Sequence, residues 1–263
     1  MLVRIRVIER GLPYNCRKNT HILGWNMGRQ ETKTEFLAKY RYPRNQFRRG
    51  LLRSGIALAS KLLIDYKVYG TENLPKKGPL LIVGNHFHFL DTIGPIHSTK
   101  YPLEFIGDAE MPNAPMHMKI FPRLWQTLRI LQGTANLEAM RAAEAVLEQD
   151  GILAIFPEGH THNPPLGAPL PGAAFMALRL GVPILPIGTF SEDDWNIFGT
   201  LGKKRRKARV MTRIGEVFGP LAFGEPGKLP GRIEVKAAGQ AIMEKIAALL
   251  PLSARGPYTT EVS

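Results

Sequence analysis

The stretch PLLIVGNHFHFLDT, residues 79–92, joins an apolar run to a polar turn that carries two histidines and an aspartate. A run this short and this uniformly apolar reads as a strand buried on both faces, since its side chains find no solvent face to alternate with. The same reading applies to GILAIF at 151–156 and, despite its prolines, to VPILPIGTF at 182–190. LEFIG at 103–107 is a weaker strand, YKVYGTENLPKKG at 66–78 a short strand and turn, and ARVMTRIGEVF at 208–218 a late strand. Helical patterns fall between them. The clearest covers 137–149, with Asn136 placed to cap it, Leu137, Met140, Ala143 and Leu147 on one face, and Gly151 as the stop. AAFMALRLG at 173–181 is a second, also ending in glycine, and 233–250 a third, ended by Pro251. Strands separated by helices predict an α/β fold, with a mixed, largely parallel central sheet flanked by helices.

Upstream of that alternation, residues 1–45 read as a basic N-terminal extension, in which only LVRIRVI alternates like a strand. Residues 46–66 turn helical, with Phe47, Leu51, Gly55, Leu58 and Leu62 on one stripe, widened by Leu52, Ile56, Ala59 and Leu63 and bordered by Arg48, Arg49, Arg53 and Lys61. This N-terminal amphipathic helix either packs on the core or lies in a membrane interface, and its two faces can do both. The expected division is therefore an extension over 1–45 and one main domain over 46–263.

Length and composition agree with a single large core, at 263 residues and 44% hydrophobic. Lysine and arginine number 35 against 22 aspartates and glutamates, a net charge of +13, which favours an anionic partner. The single cysteine, Cys16, forms no internal disulfide and fits a reducing compartment. The first residues have neither the apolar stretch nor the cleavage site of a secretory signal, and no window is long and apolar enough to span a bilayer. The expected location is cytoplasmic, peripheral on the inner face of the membrane.

His86 should stand at the carboxyl end of a buried strand, where crevices form in open α/β sheets. An aspartate at the start of the next helix, Asp91, can reach back to one imidazole nitrogen and leave the other to take a proton from a hydroxyl. That is a two-residue base without a serine nucleophile, suited to direct attack by a bound alcohol. FPEGHTH at 156–162 also follows a buried strand, so its turn would bring Glu158 and backbone N–H groups to the same crevice.

NHFHFLD, FPEG and VPILPI occur in the order and approximate spacing of the glycerolipid acyltransferase family, which the chain resembles over about residues 65–220. The resemblance implies transfer of an acyl chain from acyl-CoA or acyl-carrier protein to a lysophospholipid or glycerol phosphate, with 1-acyl-sn-glycerol-3-phosphate as the leading acceptor. It implies no metal and no cofactor beyond the thioester donor. By the same resemblance His86 is the catalytic base, Asp91 its orienting carboxylate, and Phe156, Pro157, Glu158 and Gly159 the acceptor-binding turn. Asn85, His88 and Arg129 are further candidates for substrate binding. Two departures bear on the acceptor. Where the family carries an arginine before the long helix, this chain reads Gln132 and Gly133, and the Thr-Arg that commonly follows the third block is His160 and Thr161. Arg129, Arg179 and the run at 203–207 are the candidates for the phosphate-binding cation.

Rival readings stay open beside this one. His86 and His88 resemble half of a metallohydrolase site, but the aspartate falls one position late and no further ligand set follows. An acyl-thioesterase would use the same histidine with water in place of alcohol, and a non-catalytic lipid-binding module would keep only the fold. The basic run KKRRKAR at 203–209 reads as a solvated loop or as a contact with an anionic membrane surface. No nucleic-acid reader motif is found, so nucleic acid is not an expected partner.

Overall fold

The computed structural model describes residues 6–7, 33–108, 116–130, 137–222 and 229–259. In chain order its elements are β1 (Arg6–Val7), α1 (Lys33–Lys39), α2 (Gln46–Leu63), β2 (Ile64–Tyr69), β3 (Leu80–Gly84), α3 (Ile93–Ser98), β4 (Glu104–Asp108), α4 (Met116–Trp125), β5 (Leu128–Ile130), α5 (Leu137–Glu148), β6 (Ile152–Ile155), α6 (Pro171–Leu180), β7 (Ile184–Ser191), α7 (Ile197–Lys203), β8 (Ala208–Ile214), β9 (Leu221–Ala222) and α8 (Arg232–Ala247). Seven strands form one sheet in the order β2-β8-β7-β3-β6-β4-β5. All neighbours in it run parallel except β7 and β8, which pair antiparallel from Ile187↔Ile214 to Ser191↔Val210. The sheet is thus mixed and largely parallel, as the alternation of strands and helices predicts. β1 and β9 form a separate antiparallel pair, which contains the end of the LVRIRVI stretch; the rest of that stretch lies outside the described residues.

The apolar runs are uniform because the sheet is covered on both sides. Along β3, Leu81 and Val83 enter a core with Leu153, Ile155, Ala143, Val146, Ala177 and Ile242, on the side of α5, α6 and α8. Leu80 and Ile82 enter the opposite core with Phe105, Ile96, Trp125 and Leu185, against which Leu52 and Ile56 of α2 pack. Successive strand side chains point to opposite faces, so a strand in the middle layer needs apolar residues at every position.

Helix ends follow local chemistry. Helix α6 stops at Gly181, whose φ of 54° is left-handed as predicted. At the end of α5 the left-handed residue is instead Asp150, with φ 57°. Gly151 is needed for a different reason: a Cβ there would lie 2.3 Å from the Val146 carbonyl oxygen. The Asn136 cap lies outside the described residues.

Helix α2 has two working faces. Leu52, Ile56 and Leu63 face inward, while Phe47 (89% exposed), Leu51 (68%), Leu58 (60%) and Leu62 (60%) form an outward apolar stripe. The helix is anchored by a buried charge network. Arg49 donates to Glu104 Oε2 at 2.8 Å, to the Trp125 carbonyl at 3.1 Å and to the Leu103 carbonyl at 3.2 Å. Arg44 also pairs with Glu104, and Tyr40 enters the core with its hydroxyl on Glu138. The packed body therefore includes residues 33–45, which the sequence reading places in the extension.

Candidate active site

The C-terminal ends of β3 and β6 meet through their turns. Beyond Gly84, Asn85 is buried, its Nδ2 donating to the Thr189 carbonyl at 2.8 Å and its Oδ1 accepting from Thr189 N–H at 2.8 Å. Both ends of its amide are thus spent on β7 and fix where the turn starts. His86 comes next, its ring stacked on Phe156 at 4.4 Å between centroids and 17° between planes. Phe156 is stacked in turn on Phe105. The imidazole therefore lies on the face of the sheet that α2 covers.

His88 and Asp91 form a capping box at a 3-10 turn, Phe89–Thr92, with His88 N–H donating to Asp91 Oδ2 at 2.8 Å and Leu90 N–H to His88 Nδ1 at 3.3 Å. The His88 ring stacks on Trp195 at 5.5 Å. Asp91 is fully buried, and its Oδ1 has no hydrogen-bond partner; His86 Nδ1 is likewise buried and unpartnered. These are the acceptor and donor of the bond that the spacing predicts, and the bond is not made in this structure. Loss of hydration, the largest cause in each case, pushes His86 down to about 4 and Asp91 well above the usual carboxylate range. His86 is consequently a neutral imidazole at physiological pH.

The FPEG turn clamps this segment from the other side. Glu158 is 1% exposed, and its Oε2 accepts from His86 N–H at 2.7 Å while Oε1 accepts from Gly167 N–H at 2.9 Å and contacts His162 Nε2. His162 N–H donates to the His86 carbonyl at 3.2 Å. Glu158 thus faces donors of its own chain. Pro157 is buried, with its carbonyl accepting from Leu170 N–H. Gly159 has φ 75° and packs on Leu170, so the turn needs glycine there.

Of the candidate cations, Arg179 lies in the last turn of α6, the end away from the Pro157 contact, and is paired with Glu144. Arg129 is in β5, and its side chain lies outside the described residues. The basic run is held by buried Asp193, which binds Lys204 and Arg206 and accepts from Arg209 N–H at 3.0 Å. Those donors hold the Asp193 carboxyl far below its ordinary range. Asp193 is two residues from Trp195, so the run is tied beside the His88 ring. His162, Gly167 and Trp195 belong to the site and were not singled out from sequence; the only signal was the histidine three residues after Gly159. Among the described residues there is no cluster of three His, Cys, Asp or Glu able to hold a metal ion.

At one strand end, then, a partly buried imidazole is clamped by a second turn and followed by a buried carboxylate. The Acyltransferase family model matches residues 65–189, which contain both turns. Over that span the chain is similar to the Acyltransferase family. A 1-acyl-sn-glycerol-3-phosphate acyltransferase of Borreliella burgdorferi is 27% identical over 135 residues, 49% of this chain and 53% of that protein, so the chain spans about half the length of that relative. The crystal structure of the 1-acyl-sn-glycerophosphate (LPA) acyltransferase PlsC from Thermotoga maritima has the same fold, with a TM-score of 0.51 and 21% identity, covering 81% of this chain and 85% of that one.

Proposed function

We propose that the protein is an O-acyltransferase that moves an acyl chain from acyl-CoA or acyl-carrier protein to the hydroxyl of a lysophospholipid or glycerol phosphate, with 1-acyl-sn-glycerol-3-phosphate as the preferred acceptor. The observation that carries this reading is the neutral His86, with its buried, unpartnered Nδ1 in the same turn as the unpartnered Oδ1 of Asp91. With Nδ1–H turned to the Asp91 carboxylate, Nε2 is the lone pair that takes the acceptor's hydroxyl proton. The alcohol oxygen then bonds to the thioester carbonyl carbon, the C–S bond breaks, and the departing thiolate takes the proton back from His86. Neither ion is comfortable alone at this depth, so imidazolium and carboxylate are stabilised together as the proton moves.

The test uses purified protein, labelled acyl-CoA and EDTA, with and without lysophosphatidic acid. Acceptor-dependent ester supports the transferase. Free fatty acid would favour a thioesterase, lack of turnover a lipid-binding module, and activity restored by zinc a metallohydrolase.

The proposed place of action is the cytoplasmic face of a membrane, reached peripherally. None of the helices in the described residues is long and apolar enough to cross a bilayer. Supporting an interfacial location, the outer stripe of α2 is accompanied by exposed Phe198 and Leu201 of the neighbouring α7, with Lys61, Lys203, Arg205 and Lys207 exposed around them. Burying a large apolar side chain contributes about 1.5–3 kcal/mol. Leu58→Asp/Leu62→Asp should therefore weaken co-sedimentation with vesicles containing phosphatidylglycerol at least about tenfold, with folding unchanged because both side chains face outward. Added salt should weaken binding of the parent protein as well, by screening the cationic rim. Equal sedimentation of variant and parent would remove α2 from this role.

A further inference from the structure

A groove of about 490 Å³ lies where the loop 168–171 and helix α6 meet the start of α8. Its volume falls among those of small-molecule sites, about 300–1,000 Å³. Pro169, Pro171, Phe175 and Tyr258 line it with rigid apolar rings, and Arg232 and Lys236 stand on its α8 wall. These two cations are one helical turn apart and exposed, and neither has an ion-pair partner among the described residues. Glu234, between them in sequence, folds back toward Gly231 at the helix start, and Glu244 accepts from Gln240. Like charges at this spacing repel, a cost that a bound anion removes.

The groove adjoins the candidate active site without containing it. Leu170 lines the groove and also packs on Gly159, and its N–H donates to the Pro157 carbonyl at 2.8 Å. Tyr258 is tied to the same turn, since its hydroxyl donates to the Gly167 carbonyl at 3.0 Å and the Gly167 N–H donates to Glu158. An occupant therefore lies behind the FPEG turn that clamps His86. Helices α6 and α8 cover the face of the sheet opposite α2. With α2 on a membrane the groove opens toward water, and what enters it comes from solution.

We propose that this groove holds the nucleotide half of an acyl-CoA donor, with Arg232 and Lys236 on its phosphates and its base against the proline and aromatic rings. The inference rests on the reading of the protein as an acyltransferase with a thioester donor, and it selects acyl-CoA over acyl-carrier protein. The phosphates carry several charges within a short span, which suits two neighbouring cations. A purine presents a flat face, which suits rigid rings. The long, flexible arm between nucleotide and thioester would pass over Leu170 to bring the carbonyl to His86. Donor and lipid acceptor then arrive from opposite sides of the sheet.

The test compares the full chain with Arg232→Glu/Lys236→Glu and with Lys76→Glu/Lys77→Glu, an equal change of charge on exposed residues ahead of the N-terminal end of β3. Calorimetric titration with CoA lacking an acyl chain reads the nucleotide site alone. KM and kcat are then measured with acyl-CoA, acyl-pantetheine and acyl-carrier protein as donors. Arg232→Glu/Lys236→Glu should weaken CoA binding and raise KM for acyl-CoA at least about tenfold, because charged contacts remote from the reacting carbonyl are lost. Its kcat should change little, and its KM for acyl-pantetheine, which has no nucleotide, should equal that of the parent. Lys76→Glu/Lys77→Glu should behave as the parent throughout. Unaltered CoA binding in Arg232→Glu/Lys236→Glu, or an equal loss in the control, overturns the proposal. A raised KM for acyl-carrier protein alone assigns the cations to an acidic protein and overturns it as well. If CoA binds through the pair and no acyl chain is transferred, the acyltransferase reading fails while the nucleotide site stands. Transfer from acyl-carrier protein without CoA binding reverses those two outcomes.

Discussion

Replacing His86 with alanine is expected to reduce acyl transfer by about 10²–10⁴-fold, the range that general-base assistance contributes. KM for the acceptor should change little, because the ring acts on the proton in transit rather than on the resting complex. Asp91→Asn should fall in the same direction by a smaller factor, since it keeps the cap on His88 N–H while losing the charge that accompanies imidazolium. Folding has its own dependence on the same ring. His86 remains neutral in the native state down to about 4, whereas an unfolded histidine binds a proton below 6.5. Between those values the unfolded chain holds more protons, so stability declines as pH falls through the window and levels off below it. His86→Ala should remove that slope. Rate measurements at saturating donor, paired with thermal unfolding at pH 7 and pH 5, check both parts. Transfer within threefold of the parent would end the assignment of the base.

The second large effect concerns stability. Arg49→Met leaves Glu104 buried in β4 with Arg44 as its only remaining cationic partner among the contacts seen, and Glu104→Gln leaves Arg49 without its carboxylate. Breaking a buried ion pair on one side costs about 3–5 kcal/mol. At about 2–4 °C per kcal/mol for a chain of this size, Tm should fall by roughly 10 °C in either variant. The double variant Arg49→Met/Glu104→Leu should recover part of the loss, because two apolar side chains need no partner. Denaturant melts of the three variants decide the matter. A single-variant loss below about 1 kcal/mol would mean that water already reaches the pair.

The buried strands were legible because their sequence pattern has one physical cause. Leu80 to Val83 are apolar at every position since helices cover both sides of the sheet, and no other setting tolerates such a run as a strand. The crevice position of His86 follows from that placement. What remained hidden depended on partners distant in sequence. Phe47 and Leu51 are as apolar as Leu52 and Ile56, and only the position of the sheet separates the outward stripe from the inward one. Glu158 reads as an exposed turn carboxylate until the His86 and Gly167 N–H groups are placed around it. Asn85 sits inside the motif, yet its side chain serves β7, more than a hundred residues later. The antiparallel turn-back of β8 against β7 leaves no mark in either strand, because a parallel and an antiparallel neighbour ask for the same side chains.

The rigid attachment of α2 to β4 sets a geometric condition on catalysis. If the helix floats its outer stripe among lipid tails, the Arg49–Glu104 bolt makes it a keel, and the whole molecule keeps one attitude relative to the bilayer. The imidazole lies on the keel's side of the sheet, stacked on Phe156. A single-chain lipid could then slide sideways from the leaflet into the crevice, and its doubly acylated product could return by the same route, without either crossing open water.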